Sequence, residues 1–511
     1  MLLKTFAATV LGLDARIITI EVTVMAGAKI HLVGLPDNAV KESNIRIATA
    51  LKTNDYKIPG KRIIINMAPA DLKKEGSFYD LGIAIGILAS SEQIRNDRLA
   101  EFLLMGELSL DGSIIPIRGA LPVAMAAKEG GFKGVILPIE NANEAAIVED
   151  IKIYGVSNLK EVITILQSTT EEKQWRVSYH PKKSLNQATE DNFSEVRGQK
   201  KVKRAMEIAA AGGHNILLIG PPGAGKTMLA KRLPGILPAM SKDEALETTK
   251  IHSIAGKLGH QSGLIEKRPF RAPHHTISDV ALIGGGSSPQ PGEISMAHNG
   301  VLFLDELPEF KRPVLEVLRQ PLEERFITVA RAKFTVEYPA NIMLVASMNP
   351  CACGYYNHPE KDCVCAPGSV QRYLNKVSGP LLDRIDMHVE VSPLQFDQLS
   401  STKKEEKSES VKERVNDARL IQKKRFTSEK INSNSQLSKR IMEKHCALNS
   451  TSMQLLRTAM EKLNLSGRAY DRILKVARTI ADLDHSEKIE TKHISEAIQY
   501  RSLDREDWAK N

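Results

Sequence analysis

The stretch from Asn215 to Ala230, NILLIGPPGAGKTMLA, constrains this chain more than any other. Ile216 to Ile219 read as a buried strand, a glycine- and proline-rich loop follows, and a helical pattern comes next. The loop fits G-x-x-x-x-G-K-[ST] through Gly220, Pro221, Pro222, Gly223, Ala224, Gly225, Lys226 and Thr227. Its glycines let successive backbone N–H groups curl inward toward phosphate oxygens, and the first helical turn adds its partial positive charge. Lys226 is expected to reach the β- and γ-phosphates, and the Thr227 hydroxyl to ligate Mg²⁺. The order of strand, loop and helix predicts binding of ATP with Mg²⁺.

A second apolar strand, Gly300-Val301-Leu302-Phe303-Leu304, ends in Asp305 and Glu306. Many strands end in a carboxylate, but a pair about 80 residues after a phosphate loop points to hydrolysis. Asp305 is expected to hold Mg²⁺, mainly through water, and Glu306 to polarise the attacking water. A third strand, Asn341 to Ser347, runs into Met348-Asn349-Pro350. Asn349, at the tip of the neighbouring strand, is expected to orient that water.

At 511 residues the chain calls for about two to four domains. Hydrophobic content of 42 % and charged content of 26 % are ordinary for a soluble globular protein. No apolar run approaches a bilayer span. The N-terminal apolar stretch is interrupted by Asp14 and Arg16, so a cytoplasmic protein is expected. Residues 1–165 alternate strand patterns (Ile17 to Val24, Arg62 to Asn66) with helical ones (Leu81 to Ala89, Ala120 to Lys128). A polar linker, 166–192, follows, in which Trp175 and Tyr179 could pack locally. The P-loop core is expected over 193–395, and a helical region over 396–511. From Ser401 onward there are 24 Lys and Arg against 17 Asp and Glu, which is +7 of the chain's net +9. That balance suits a polyanionic partner, and a solvated helical surface gives the same charge. Within Ser408 to Phe426, Val411, Val415, Ala418 and Gln422 share one helical face, with Leu420 and Ile421 expected to widen its apolar side.

Five cysteines do not make a disulfide framework in a chain of this length. Four of them form two C-x-C pairs, Cys351/Cys353 and Cys363/Cys365, nine residues apart with His358 between. Four thiols so close suit a structural Zn²⁺, although C-x-C is a weaker signal than C-x-x-C and paired reduced surface thiols are the alternative. Cys446 stands apart and is expected to be a buried small hydrophobe. His274 and His275 are consecutive and cannot easily present both rings to one ion, so a structural role or a contact near the nucleotide is expected.

Two stretches in the first domain, Lys73 to Ser90 and Gly106 to Pro138, resemble Lon-type protease domains, whose chemistry uses a serine activated by a lysine. Matched on their apolar runs, the serine position falls on Asp80 and the lysine position on Leu121. The resemblance therefore implies a retained Lon-like (ribosomal S5-like) α/β fold without peptidase chemistry.

Further boxes resemble ring-forming AAA+ ATPases. Glu195-Val196-Arg197-Gly198-Gln199 sits where such rings cradle the adenine. Ser378 to Asp386 resembles the arginine-finger box, with Arg384 entering the next subunit's site, or else forming a salt bridge to Asp383 or Asp386. Leu465-Ser466-Gly467-Arg468 resembles the sensor 2 segment, with Arg472 and Arg478 in reserve. With Arg268 to Leu307 as the most specific stretch, nearly the whole chain resembles the ComM/YifB family of magnesium chelatase-like AAA+ ATPases. That resemblance implies an α/β AAA+ P-loop core with a helical C-terminal lid behind the Lon-like domain. It also implies a homo-hexameric DNA helicase that drives branch migration in natural transformation. Gly284 to Gly292 reads as a hairpin tip, and Arg325 to Tyr338 as a second hairpin turning near Arg331-Ala332-Lys333. In related helicase rings such hairpins face the pore, so Arg331 and Lys333 would hold DNA phosphates. A chaperone-like remodelling ring, an ATP-dependent protease and a chelatase ATPase subunit are the alternatives.

Overall fold

The computed structural model describes residues 2–168, 173–179, 191–258, 263–286, 289–331, 334–393, 405–429 and 431–501. The chain divides into two units: Met1–Leu185 with Lys242–Ile265, and Asn186–Ser241 with Glu266–Asn511. The core expected over 193–395 is thus interrupted, because a segment that follows the P-loop helix in sequence belongs to the first unit. Among the described residues no helix is long and apolar enough to cross a membrane.

The first unit is built on an eight-stranded mixed sheet. Its centre is an antiparallel hairpin, Leu2–Leu11 with Asp14–Met25, whose two-residue turn begins at Gly12 with φ +63°. The strand Arg62–Ala68 pairs antiparallel with Asp14–Met25, and Phe102–Leu104, Gly134–Pro138 and Lys152–Val156 extend the other side in parallel. The helix Asp80–Ser90 is buried along its whole length. It lies close on the central strands because Gly82 and Gly86, one turn apart, carry no side chain. A Cβ at Gly86 would stand 2.7 Å from Val22 Cγ2, and the Thr5 hydroxyl donates to the Gly82 carbonyl at 2.9 Å. The helix Lys242–Ile254 completes this unit: Ser253 Oγ donates to buried Glu144, the Gly119 N–H donates to the Ser253 carbonyl at 3.2 Å, and Lys250 pairs with Asp14 at 3.0 Å. Trp175 and Tyr179 pack against the same core.

The second unit holds a five-stranded parallel sheet in the order Phe270–Arg271, Val301–Leu304, Met343–Met348, Ile216–Ile219, Met387–Glu390. The P-loop strand lies between Met343–Met348 and Met387–Glu390, where the strand order reverses, and such switch points open a crevice at the carboxyl ends of the strands. The helices Ser408–Arg425, Lys439–His445, Ser450–Lys462, Gly467–Leu483 and Thr491–Gln499 form the C-terminal region. Val411, Val415, Ala418 and Gln422 are buried as expected, but Leu420 is 56 % exposed and does not widen the apolar face. Gln422 instead uses its amide to donate to the Ala211 carbonyl on the helix Lys200–Gly212, tying the lid to the core. Cys446 is buried.

Both expected hairpins are present. Gly284–Gly285 pairs with Gln290–Pro291, and Phe326–Arg331 pairs with Phe334–Pro339. The Tyr338 hydroxyl donates to the Pro289 carbonyl at 2.7 Å, so the two hairpins are joined.

Candidate active site

The phosphate loop bends as its glycines require. Gly223 and Gly225 have φ of +76° and +86°, values that a side chain would strain. Gly225 then caps the helix Lys226–Arg232. Gly220 allows a close approach of a different kind, since a Cβ there would lie 2.3 Å from the Val391 carbonyl oxygen.

Four of the expected residues meet at the loop. Lys226 Nζ donates to the Gly220 carbonyl at 2.6 Å, the Pro221 carbonyl at 3.0 Å and Asn349 Oδ1 at 3.0 Å. Burial pushes this amine below its ordinary value, opposed by the charges of Asp305 and Glu306. Thr227 Oγ1 donates to Asp305 Oδ2 at 2.6 Å, which sets a hydroxyl and a carboxylate together as oxygen ligands suited to Mg²⁺. Asp305 Oδ1 also accepts from the Glu306 N–H at 3.1 Å and from the Ser347 hydroxyl. Glu306 has φ +53°, an uncommon conformation for a side-chain-bearing residue, and its side chain is 59 % exposed. His275 Nδ1 stands 3.7 Å from Glu306 Oε2.

Ser347 and His275 were not assigned from sequence. A serine at a strand end carries no signal of its own. For the His274-His275 pair a structural role or a contact near the nucleotide is expected; in the structure His274 Nδ1 has a 2.9 Å bond to Thr276, and His275 stands beside the second carboxylate.

The two arginines expected from the arginine-finger and sensor 2 resemblances differ. Arg384 is 8 % exposed, pairs with Glu323 at 2.9 Å and donates to the Pro380 carbonyl at 2.7 Å. Its ion pair is with Glu323, a partner remote in sequence, rather than Asp383 or Asp386. Arg468 is 55 % exposed, with Asp383 at 3.9 Å. Of the reserve residues, Arg472 pairs with buried Asp386 at 3.0 Å, and Arg478 is buried against Asp482. Burial alone would raise the Asp386 carboxyl, but Arg472, His214 and the Asn215 N–H hold it well below the usual carboxylate range. Nearby, Arg325 at the root of the second hairpin bonds Asn341 at 2.7 Å and Ser435 at 3.1 Å, linking hairpin to lid segment. Arg331 lies in the hairpin strand opposite Phe334; its side chain, and Lys333 entirely, fall outside the described residues.

The four cysteines converge. Cys351 Sγ lies 3.3 Å from Cys353 Sγ and 3.7 Å from Cys363 Sγ, Cys353 and Cys363 are 3.5 Å apart, and all four sulfurs lie within 4.8 Å of one another. Sulfurs at the corners of a tetrahedron around zinc, each ~2.3 Å from the ion, stand about 3.8 Å apart, so the set fits. His358 does not join it: its Nδ1 accepts from the Glu360 and Lys361 N–H groups.

In the first unit, Asp80 is fully buried and pairs with Arg46 at 2.9 Å, while also accepting from Ser43. Leu121 is buried, and its N–H donates to Glu144.

Comparison with known proteins bears on the whole chain. A family described as magnesium chelatase, subunit ChlI, matches residues 192–399; its C-terminal counterpart matches 405–501, and a subunit ChlI domain of Mg-chelatase matches 20–141. Competence protein ComM of Haemophilus influenzae is 44 % identical over 503 residues, covering 96 % of each chain. Protein YifB of Escherichia coli is 44 % identical over 499 residues, covering 97 % of this chain and 96 % of its own. Lon protease 2 of Bacillus subtilis is 31 % identical over 141 residues, 27 % of this chain and 25 % of its own.

Proposed function

Since the chain belongs to the ComM/YifB family of magnesium chelatase-like AAA+ ATPases, we propose that it is an ATP-driven DNA motor. It assembles as a homo-hexameric ring in the cytoplasm and promotes branch migration as incoming DNA is recombined. The observation that carries its ATPase core is the meeting of Lys226, Asn349, Thr227 and Asp305 at one phosphate loop.

In this reading Mg·ATP lies on the backbone of Gly220 to Thr227. Lys226 exchanges its carbonyl and Asn349 contacts for phosphate oxygens, a trade that a buried ammonium favours strongly. Thr227 and Asp305 hold Mg²⁺, and Ser347 orients Asp305. Glu306 takes a proton from the attacking water, Asn349 positions that water, and His275 restrains Glu306. Arg384 leaves Glu323 to meet the neighbouring subunit's γ-phosphate, and Arg468 reports nucleotide state to the lid. Two joined hairpins, rooted on Arg325, then move as one body and carry Arg331 and Lys333 along DNA phosphates. Asp80 and Leu121 stand where the Lon-type dyad would, so the first unit has no peptidase activity.

The test is ATP hydrolysis with and without single-stranded, duplex and branched DNA, at two salt concentrations. Stimulation that weakens with salt supports the motor, because phosphate contacts release counterions. A basal rate indifferent to every DNA refutes it in favour of a remodelling ring acting on a protein or a chelatase-type subunit.

A further inference from the structure

The loop that carries the four cysteines does not merely follow the catalytic strand; it folds back over the phosphate loop. Gly354, with φ +85°, lies so close to Pro222 that a Cβ there would stand 2.5 Å from the Pro222 ring. Beyond it the loop forms one side of a pocket whose other sides are the start of the phosphate loop and the segment after Met387–Glu390. Tyr356 and Pro359 line this pocket together with Gly220, Pro221, Val391 and Pro393. Gln199, from the segment expected to cradle adenine, donates to the Ser392 carbonyl at 2.7 Å, so that segment backs the same pocket wall.

We propose that Cys351, Cys353, Cys363 and Cys365 bind one structural Zn²⁺, and that this ion holds Tyr356 to Pro359 as the wall against which the nucleoside half of ATP packs. The proposal rests on the ATPase reading above and adds a metal requirement for nucleotide affinity. Three observations carry it: the tetrahedral fit of the sulfurs, the contact of the loop with Pro222, and the mixed aromatic and proline lining beside a phosphate site. Among the described residues the loop 351–368 has no helix or strand of its own, so cross-linking by an ion replaces the backbone pairing that would otherwise order it. In this reading the loop 220–227 holds the triphosphate, and Tyr356 to Pro359 packs on the nucleoside. Zinc therefore supports recognition of the nucleoside and not of the phosphates.

The experiment uses the full chain, purified without chelator. Zinc content is measured by elemental analysis, and dissociation constants for ATP and for inorganic tripolyphosphate are measured before zinc release by a thiol mercurial and after, with thiol and zinc restored as a control. The expected result is one zinc per chain, an ATP affinity that falls about tenfold on release and returns on restoration, and an unchanged tripolyphosphate affinity. Tyr356→Ala, which leaves all four cysteines in place, is expected to retain zinc and lose ATP affinity to a similar degree. Zinc well below one per chain overturns the metal assignment. Zinc present with unchanged ATP affinity on its removal, or an equal loss for tripolyphosphate, overturns the wall. A zinc-loaded protein that binds neither ATP nor tripolyphosphate overturns the ATPase reading and this inference with it, and the zinc content tells the two failures apart.

Discussion

Ser347→Ala tests the magnesium arm of the site with little else disturbed. Ser347 is fully buried at the end of Met343–Met348, and alanine fills nearly the same space. What is lost is one donor to Asp305 Oδ1, leaving that oxygen, among the described residues, the Glu306 N–H at 3.1 Å. A hydrogen bond to a charged acceptor contributes about 1.5–3 kcal/mol, or roughly 10- to 150-fold at about 1.4 kcal/mol per decade. Removal of groups that orient a metal ligand typically costs about 10–100-fold in metal affinity or activity. The Mg²⁺ concentration for half-maximal ATP hydrolysis is therefore expected to rise by about 10–100-fold. ATP binding measured in EDTA is expected to stay unchanged, since Asp305 acts through the ion. Hydrolysis titrated against free Mg²⁺, paired with fluorescent-nucleotide binding in chelator, reads both. A magnesium dependence within about twofold of wild type would mean that Ser347 does not position Asp305, or that Asp305 does not hold the ion.

Arg384→Ala is expected to bind ATP normally and to lose turnover; a protein that hydrolyses ATP normally but unfolds at lower temperature would make the Glu323 pair purely structural. Asp386→Asn is expected to destabilise the second unit at neutral pH by about 3–5 kcal/mol, the cost of breaking a buried pair. Because the folded carboxyl is depressed, its contribution is complete above the unfolded value of about 3.9 and is lost as pH falls below it, so thermal unfolding should steepen with acid in wild type and flatten in the variant. Gly86→Val is expected to lower the unfolding temperature of the first unit, since its Cβ would meet Val22 at 2.7 Å, while ATP affinity is retained.

The parts of the site that were legible in the sequence are those whose chemistry is packed into a few adjacent residues. Lys226 and Thr227 sit in a loop whose spacing fixes their direction, and Asp305 and Glu306 end a strand that must lie beside it. Ser347 was not legible, because what makes it matter is register: Leu304 pairs with Ala346, which brings the next residues of both strands together. For His275 a contact near the nucleotide was among the expectations, but not its neighbour Glu306, because that pairing joins residues 31 positions apart. For Arg384, the arginine-finger resemblance marked a special arginine, but Glu323 lies about 60 residues earlier and no local pattern links them. The helix Ser408–Arg425 was found by periodicity, while Leu420 was misplaced because apolar character alone does not say which side of a helix edge is covered.

The path of the chain has a consequence for how the molecule is made. The backbone passes between the two units three times, at 185, 241 and 265. Glu144 is buried, with its carboxyl raised by that burial, and beside the Leu121 N–H it accepts from the hydroxyl of Ser253, 109 residues later. During synthesis the first unit is therefore completed only after the phosphate loop has been made. Nor can one cut of the backbone liberate it: severed at 185, it would remain joined to the second unit through both ends of Lys242–Ile265. The Lon-like portion is less a module added in front than one part of a single woven polypeptide.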